Sequence, residues 1–239
     1  MTKLLYQTDS YMKNFPAVVV SVDGENHAII LNETAFYPGG GGQPNDIGTI
    51  NVEGEDYLVT KVKKVGSDVL HFLETEKPLP VAGAQVKGQV DWERRYKLMR
   101  THTALHILCG VVFRDYGALV TGGDMDPLKG RMDFEFETMQ KELVQEIERS
   151  VNLEAAKARP VRVKILPRVE AFQIPDLIRT KINLLPEDIS EIRTVEIVGL
   201  DLQADGGTHV SNTSEVGQIH VVDYKSKGKI NKRIYIELE

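Results

Sequence analysis

Short apolar, strand-like runs separated by turn signals fill the first ninety positions. AVVVSV is followed by Asp23-Gly24, a dipeptide typical of a hairpin turn. Further strand-like runs follow at regular spacing, with the sequences HAIILNETAF, GTINVEG, DYLVTKVKKV, DVLHFLE and AQVKGQVDW. Many short strands at such intervals are typical of a barrel. We therefore predict a small N-terminal β-barrel domain over residues 1–90.

The pattern changes after Asp91. Residues 93–117 contain no proline, carry a broad apolar face and end in glycine, which predicts a buried helix. The alternation in RMDFEF then predicts a strand. Thr138 is expected to cap a second helix, whose apolar residues recur every fourth position.

Four more segments are strand-like, with the sequences PVRVKIL, RTVEIVGL, GQIHVVDY and KRIYIELE. A short third helix is expected in RVEAFQIPDLIR, interrupted by Pro175. Helices that alternate with such strands favour an antiparallel sheet covered by helices. The fold class is therefore predicted to be α+β, with the N-terminal barrel followed by a two-layer α+β sandwich over residues 91–239.

Composition narrows the functional classes. The chain of 239 residues is 41% hydrophobic, which is enough for a real core, and Cys109 is its single cysteine, so an internal disulfide framework is excluded. Apolar runs of about 18 residues and a secretory signal are both missing from the sequence. We therefore expect a cytoplasmic protein without a membrane segment.

A net charge of −6 argues against a protein covered in phosphate-binding charge, but it leaves local basic patches open. Three groups of basic residues are candidates, and each is also explained by ordinary solvated surface. They are Lys61, Lys63 and Lys64; Arg94, Arg95, Lys97 and Arg100; and Lys225, Lys227, Lys229, Lys232 and Arg233.

Two histidines in RTHTALHIL form the first candidate for chemistry. His102 and His106 stand four residues apart on the predicted helix, so both imidazoles lie on one face about one turn apart. The spacing matches that of HExxH zinc proteases, but Thr103 stands where those enzymes need a glutamate. A metal site and an ordinary buried or surface pair are both open at this point.

A second candidate lies in DLQADGGTHVSNTSEVG. Gly206-Gly207 permits a tight turn, and Asp205 and His209 flank it four residues apart. A carboxylate and an imidazole on such a loop are suitable ligands for a tetrahedral zinc ion. Turn hydrogen bonds from the aspartate are the alternative explanation.

The third feature is the run of four glycines in FYPGGGGQPND. Consecutive glycines lose much backbone entropy on folding, so they are expected where the backbone itself has a task. Their N–H groups are able to face an anion or a carbonyl group, whereas a plain wide turn is the structural alternative.

The chain resembles the alanyl-tRNA editing proteins of the AlaX family. The resemblance is carried by three motifs in a fixed order, GGGGQPND, RTHTALH and GGTHVSNTSEVG. The AlaX proteins are freestanding relatives of the editing domain of alanyl-tRNA synthetase, and the resemblance is to the longer type with an N-terminal glycine-rich β domain. It implies an aminoacyl-tRNA deacylase that works without ATP. Its substrate would be tRNA(Ala) mischarged with serine, or with glycine.

The resemblance also implies a zinc site built from HxxxH and CxxxH motifs. Carried over, His102, His106 and His209 match, and Asp205 stands at the cysteine position. Asp205 would either complete the zinc coordination or leave the fourth place to water or substrate. Cys109 is a conceivable replacement thiolate, although a small core residue is the better interpretation. The ion would either activate a water molecule or hold the substrate's α-amino group.

For the substrate, the resemblance implies that the glycine loop helps to close the pocket over the terminal adenosine, through Gly40, Gly41, Gly42, Gln43 and Asp46. A pocket that admits serine cannot exclude alanine by size, so it must reward the hydroxyl with a hydrogen bond. The resemblance points to Thr121 for this role, with Thr103 as the second choice.

Three rival interpretations accompany this one: a catalytically silent tRNA-binding module, a metal hydrolase of small esters, and a fragment of a full synthetase. The start at Met1 and the lack of room for an aminoacylation domain count against the fragment. Basic residues of the domain junction and the C-terminal hairpin are expected to hold the acceptor stem. The sequence does not predict the oligomeric state.

Overall fold

The computed structural model describes residues 1–182, 185 and 189–239. The chain forms two compact units, Met1–Tyr96 and Lys97–Glu239. Their division falls within the first long helix, slightly beyond the predicted boundary at residues 90 and 91. Among the described residues, no helix has the length and apolar character needed to cross a membrane.

The first unit is built from strands, with a single 3-10 turn at Leu5–Gln7. Its strands are β1 (Lys3–Leu4), β2 (Asn14–Asp23), β3 (Ala28–Leu31), β4 (Glu33–Thr34), β5 (Gly48–Val52), β6 (Glu55–Val65), β7 (Asp68–Glu74) and β8 (Gln85–Val90).

Six of these strands close into a barrel in the order β2-β3-β7-β6-β5-β8, and all the neighbouring pairs are antiparallel. Side chains along β2 alternate between exposed and buried positions, with Phe15, Ala17 and Val19 pointing into the core. Strands of period two thus place one face inside the barrel, as expected. The predicted N-terminal barrel is confirmed.

The second unit mixes helices with strands, and its first helix begins in the first unit. The elements are α1 (Trp92–Tyr116), β9 (Val120–Asp126), β10 (Lys129–Glu135), α2 (Lys141–Ala156), β11 (Val161–Pro167), α3 (Arg168–Ala171), β12 (Glu191–Ile197), β13 (Asp201–Ala204), β14 (Ile219–Ser226) and β15 (Asn231–Leu238). A 3-10 turn at Thr213–Glu215 precedes β14.

Two antiparallel sheets organise this unit. One has the order β14-β15-β10-β9 and the other the order β11-β12-β13. Helix α2 lies against β14, where the side-chain amide of Asn152 bonds both backbone groups of Ile219. The predicted α+β class is confirmed.

One local prediction was wrong. Thr138 does not cap α2, because the helix begins at Lys141 after Gln140, which makes no side-chain cap. The short third helix is present as a single turn, Arg168–Ala171, and strand β9, which contains Thr121, was not predicted. Two glycines in β9 weaken its strand signal, and pairing with β10 overrides that local tendency.

Helix α1 is buried on every side over residues 101–112. Leu105 packs against Gly130 of the four-stranded sheet, and Gly110 packs against Asp201 at the start of β13. One helix therefore contacts both sheets of the second unit. This explains why the predicted apolar face is so broad.

Candidate metal centre

His102 and His106 lie one turn apart in the buried part of α1. Their ring centroids are 5.1 Å apart, and each residue is 5% exposed. The helical spacing read from the sequence therefore brings the two imidazoles together, inside the protein and not on its surface.

Asp205 and His209 approach from the loop that follows β13. The N–H of Asp205 donates to the carbonyl of Arg193 on β12, which ties the loop to the sheet. Its Oδ2 accepts the N–H of Gly207 at 2.8 Å, and Nε2 of His209 lies 3.0 Å from the same oxygen. The aspartate thus makes the turn contact and also faces the imidazole, so the turn contact does not exclude a role as a metal ligand.

These two segments meet. One ligand atom from each of the four residues lies within 4.8 Å of every other. Nε2 of His102 is 3.5 Å from Oδ1 of Asp205, and its ring stacks on that of His209 with centroids 4.2 Å apart. Three imidazoles and one carboxylate are a donor set that zinc accepts, and they are close enough to share one ion. The residues present therefore fit a metal.

Electrostatics keep the ligand atoms available. Burial lowers the pKa of His102 well below its usual value and lowers the pKa of His209 to about 4, so both rings are neutral near pH 7. Burial opposes the charge of Asp205, but the three histidines outweigh it and hold the pKa of this carboxyl well below its usual range. Neutral imidazoles and an ionised carboxylate are the forms that bind metals.

His106 differs from its neighbours. Burial disfavours its charged form, yet the carboxylates of Asp201 and Asp205 outweigh burial and raise its pKa. Nδ1 of His106 lies 3.3 Å from Oδ2 of Asp201. The sequence analysis did not single out Asp201; its one signal is a charged residue within the otherwise apolar run IVGLDL.

Thr103 supports His209 from the helix. Its Oγ1 lies 3.2 Å from Nδ1 of His209 and accepts the N–H of Val210 at 3.3 Å. The hydroxyl is fully buried. Thr103 was the second choice for selecting the substrate hydroxyl; it lies behind a candidate ligand, and its role in selection stays a prediction.

Cys109 does not join the four-residue group. It is buried, and burial raises the pKa of its thiol, which disfavours the thiolate that would bind a metal. The interpretation of Cys109 as a core residue therefore agrees with its surroundings.

The glycine run lies in the first unit, between β4 and β5. Gly39, Gly40, Gly41 and Gly42 all have positive φ angles, between 58° and 138°. Only glycine adopts such a succession readily, so backbone conformation explains the run. Its N–H and C=O groups make a small turn of their own, in which Gly40 and Gln43 exchange backbone hydrogen bonds.

Asp46 anchors the end of this loop. The guanidinium of Arg95 donates to both of its carboxylate oxygens, and the N–H of Tyr37 donates to Oδ2 at 2.6 Å. Arg95 also reaches the carbonyls of Ser10 and Ala35. Both charged side chains are buried, so Asp46 holds the loop in place and Arg95 is not presented to a nucleic acid. Gln43 is buried as well, at 2% exposure.

Thr121 lies apart from these contacts. Its side chain is exposed and donates to Oδ1 of Asn231 at 2.9 Å. In the part of the chain that the structure describes, no hydrogen bond links Thr121 to the four-residue group. Its role in substrate selection stays a prediction.

The C-terminal basic patch is smaller than its sequence suggests. Arg233 pairs with Asp133, Lys225 pairs with Asp223, and the buried ammonium of Lys232 donates to backbone carbonyls. Lys227 and Lys229, at the tip of the β14–β15 hairpin, are exposed.

Comparisons with known families match both ends of the chain. Residues 6–94 match the family described as tRNA synthetases class II (A). Residues 192–235 match the family described as the threonyl and alanyl tRNA synthetase second additional domain. The second match includes Asp205 and His209.

Relatives cover the whole chain. The alanyl-tRNA editing protein AlaX-M of Saccharolobus solfataricus is 42% identical over 237 residues, covering 98% of each chain. The protein of the same name from Methanosarcina barkeri is 36% identical over 242 residues, covering 100% of this chain and 99% of its own. The alanine–tRNA ligase of Pyrococcus furiosus is 38% identical over 224 residues, which are 92% of this chain and 24% of the ligase.

Proposed function

The chain belongs to the alanyl-tRNA editing proteins of the AlaX-M type, and from this premise we propose the reaction it performs. As an editing protein it is a deacylase of mischarged aminoacyl-tRNA. We propose that its substrate is tRNA(Ala) carrying serine, or glycine, and that it hydrolyses the ester bond in the cytoplasm with a zinc ion as cofactor.

The observation that carries this proposal is the meeting of His102, His106, Asp205 and His209 from two segments of the second unit. Zinc is preferred over harder ions because three of the four donors are imidazoles. When bound, the ion would supply Lewis-acid chemistry to an aminoacyl ester. The sequence shows no serine or cysteine nucleophile beside an evident base, so direct hydrolysis is favoured over a covalent intermediate.

The chain's own residues prepare this site. Burial keeps His102 and His209 neutral, so their lone pairs are available at the pH of the cell. Asp205 contributes the single negative charge in the ligand set, at the position where the family motif has a cysteine. Because the three histidines are buried, interactions with the reacting ester would be stronger here than in open solvent.

Selection of serine over alanine needs a hydrogen bond to the substrate hydroxyl, because alanine is the smaller residue. We propose Thr121 for this contact, and Gly40, Gly41, Gly42 and Gln43 as contacts to the terminal adenosine. Thr121→Val should lower hydrolysis of Ser-tRNA(Ala) and leave hydrolysis of Gly-tRNA(Ala) unchanged. If both rates stay unchanged, the selecting hydroxyl lies elsewhere.

The test is deacylation of Ser-tRNA(Ala), Gly-tRNA(Ala) and Ala-tRNA(Ala) at equal protein concentration, with and without a chelator. We expect fast hydrolysis of the seryl ester, slow hydrolysis of the alanyl ester, and loss of activity on chelation that added zinc restores. His220→Gln serves as the matched control, since this histidine lies outside the four-residue group.

Other outcomes would identify the rival functions. Binding of tRNA without turnover, even with zinc, would favour a silent binding module. Equal hydrolysis of a small aminoacyl ester that lacks the tRNA would favour a general metal esterase. Activity that survives complete removal of metal would refute the zinc proposal while leaving the editing reaction intact.

We propose that the exposed lysines of the C-terminal hairpin contact the acceptor stem. Lys227→Ala combined with Lys229→Ala should raise KM and reduce the slope of log KM against log salt by about two, because each lysine would neutralise one phosphate. The matched pair Lys63→Ala and Lys64→Ala removes two exposed barrel lysines. An effect of this second pair alone would move the tRNA surface to the barrel.

A further inference from the structure

A buried carboxylate stands directly behind one of the candidate zinc ligands. Asp201 opens β13 and its side chain is fully buried. Oδ2 lies 3.3 Å from Nδ1 of His106, so Nε2 is the ring nitrogen left for a metal. A buried carboxylate is retained only where partners compensate for its lost hydration, so its surroundings matter.

Two neighbours hold Asp201 in position. Nε2 of Gln203 donates to Oδ2 at 2.6 Å, and Nε of Arg179 approaches Oδ1 at 3.4 Å. The guanidinium of Arg179 is itself fixed, since it lies 3.8 Å from the ring centroid of Phe113 and donates to the carbonyl of Asp176. The carboxylate therefore has a defined orientation toward His106.

Gly110 makes this approach possible. It lies one turn after His106 in α1, where glycine is unfavourable compared with alanine. A Cβ atom at this position would come within 3.0 Å of Cβ of Asp201 and of Cγ of Leu200. The glycine therefore provides the clearance by which the start of β13 reaches the helix beside His106.

We infer that Asp201 is a positioning residue for the proposed zinc site. We also infer that Gly110, which lacks a Cβ atom, leaves the space in which Asp201 lies beside His106. In this structure Nδ1 of His106 makes no hydrogen bond, and the carboxylate 3.3 Å away is the acceptor placed to take its proton and so leave Nε2 for the metal. Carboxylates behind metal-binding histidines fix the tautomer and the ring orientation in this way. The inference rests on the proposed zinc site, and nothing in it requires a particular tRNA substrate.

The inference is tested by the zinc affinity of the purified protein, which is measured by competition with a chelating dye. Asp201→Ala should bind zinc about 10- to 100-fold more weakly than the unchanged chain. Asp201→Asn should lose less, because its amide oxygen is also able to accept the Nδ1 proton. The matched control is Asp133→Asn, which alters a buried carboxylate of the same unit that pairs with Arg233 and not with a candidate ligand.

The role of Gly110 is tested separately. Gly110→Ala should weaken zinc binding, by less than Asp201→Ala does, although alanine favours the helix. The visible spectrum of the cobalt(II)-loaded chain should change in Gly110→Ala and in both Asp201 variants, and stay the same in Asp133→Asn. Circular dichroism of the metal-free variants shows whether each is folded. If Asp201→Ala does not fold, the zinc affinities of Gly110→Ala and Asp201→Asn test the positioning role.

The outcomes separate this inference from the proposal beneath it. Unchanged zinc affinity and cobalt spectrum in the folded Asp201 variants would overturn the positioning role and leave the zinc site standing. An equal loss in Asp133→Asn would also overturn it, because the effect would then be general. A chain that binds no zinc in its unchanged form would overturn both.

Discussion

Nε2 of His209 lies 3.0 Å from Oδ2 of Asp205, across a tight glycine turn. The same carboxylate lies 3.5 Å from Nε2 of His102 on helix α1. One aspartate thus joins the two segments from which the candidate metal centre is assembled.

This relationship predicts the effect of restoring the cysteine of the family motif. Asp205→Cys should bind zinc at least as tightly as the unchanged chain, because thiolate is the softer ligand. Asp205→Ala should lose most of the affinity. Zinc content after dialysis and cobalt(II) absorption, in which a sulfur ligand gives an additional charge-transfer band, measure both. Equal zinc content in all three chains would show that residue 205 does not contact the ion.

The contact between Thr103 and His209 predicts a second effect. Thr103→Val keeps the volume of the side chain but removes the hydroxyl beside Nδ1, so zinc affinity should fall about tenfold. Thr101→Val is the matched control on the same helix, since the hydroxyl of Thr101 bonds the backbone at Lys97 and Leu128. If the two variants bind zinc equally well, the hydroxyl of Thr103 does not orient His209.

The buried pair of Arg95 and Asp46 predicts a change in stability. Arg95→Met leaves the Asp46 carboxylate buried without its charged partner, which should lower the free energy of unfolding by about 3–5 kcal/mol. Adding Asp46→Asn should recover part of this loss, because no charge is then left buried. Urea titration measures both, with the exposed Lys87→Met as control. A loss in Arg95→Met no larger than that in the control would contradict the prediction.

The glycine loop predicts a loss of stability that arises from backbone conformation. Gly41 has a φ of 58°, and a Cβ atom there would meet no other atom within 4 Å. Gly41→Ala should therefore destabilise the chain by about 1 kcal/mol through backbone conformation alone, and Gly41→Asn by less. Gly24→Ala is the control, because that turn is equally open and its φ is not positive. Thermal melting compares the three, and identical melting of the two alanine variants would argue against the conformational cause.

His71 predicts a dependence of stability on pH. Burial in the barrel lowers its pKa from 6.5 to about 4, so below pH 6.5 the unfolded chain takes up a proton that the folded chain does not. The stability contributed by the neutral ring is complete above pH 6.5 and falls by about 3 kcal/mol as the pH drops to 4.

Replacing this ring should remove the dependence. His71→Gln should lose less stability than the unchanged chain between pH 6.5 and pH 4, while the exposed His27→Asn should follow the unchanged chain. Urea unfolding at several pH values supplies the comparison. If the free energy of unfolding changes with pH in the same way in His71→Gln and the unchanged chain, His71 titrates equally in the folded and unfolded states.

Much of the fold could be predicted from periodicity. Barrel strands β2, β7 and β8 alternate between buried and more exposed positions, and a buried helix was evident from the wide apolar face of α1. Strand β9 and the true start of α2 were missed because glycine content and a threonine pointed the other way locally. Pairing across the sheet decided the conformation in β9, and local propensity is weaker than such pairing.

Some residues of the candidate site could be predicted from the sequence, and others could not. His102 and His106 share a helix face by spacing alone, Asp205 and His209 stood out beside their glycine turn, and the family resemblance joined the two pairs. The supporting residues Asp201 and Thr103 act across long sequence separations, which no local pattern records. The role of Asp46 was likewise hidden, since its partner Arg95 is 49 residues away.

The sequence by itself determined the strand-rich first part, the long first helix, the two histidine-bearing segments and the family, because each depends on residues that are close along the chain. The tertiary structure decided which charged groups face each other, which basic residues are already paired, and why a long helix carries a glycine at position 110. Those properties depend on distances between segments, which the packing of helices and the pairing of strands set.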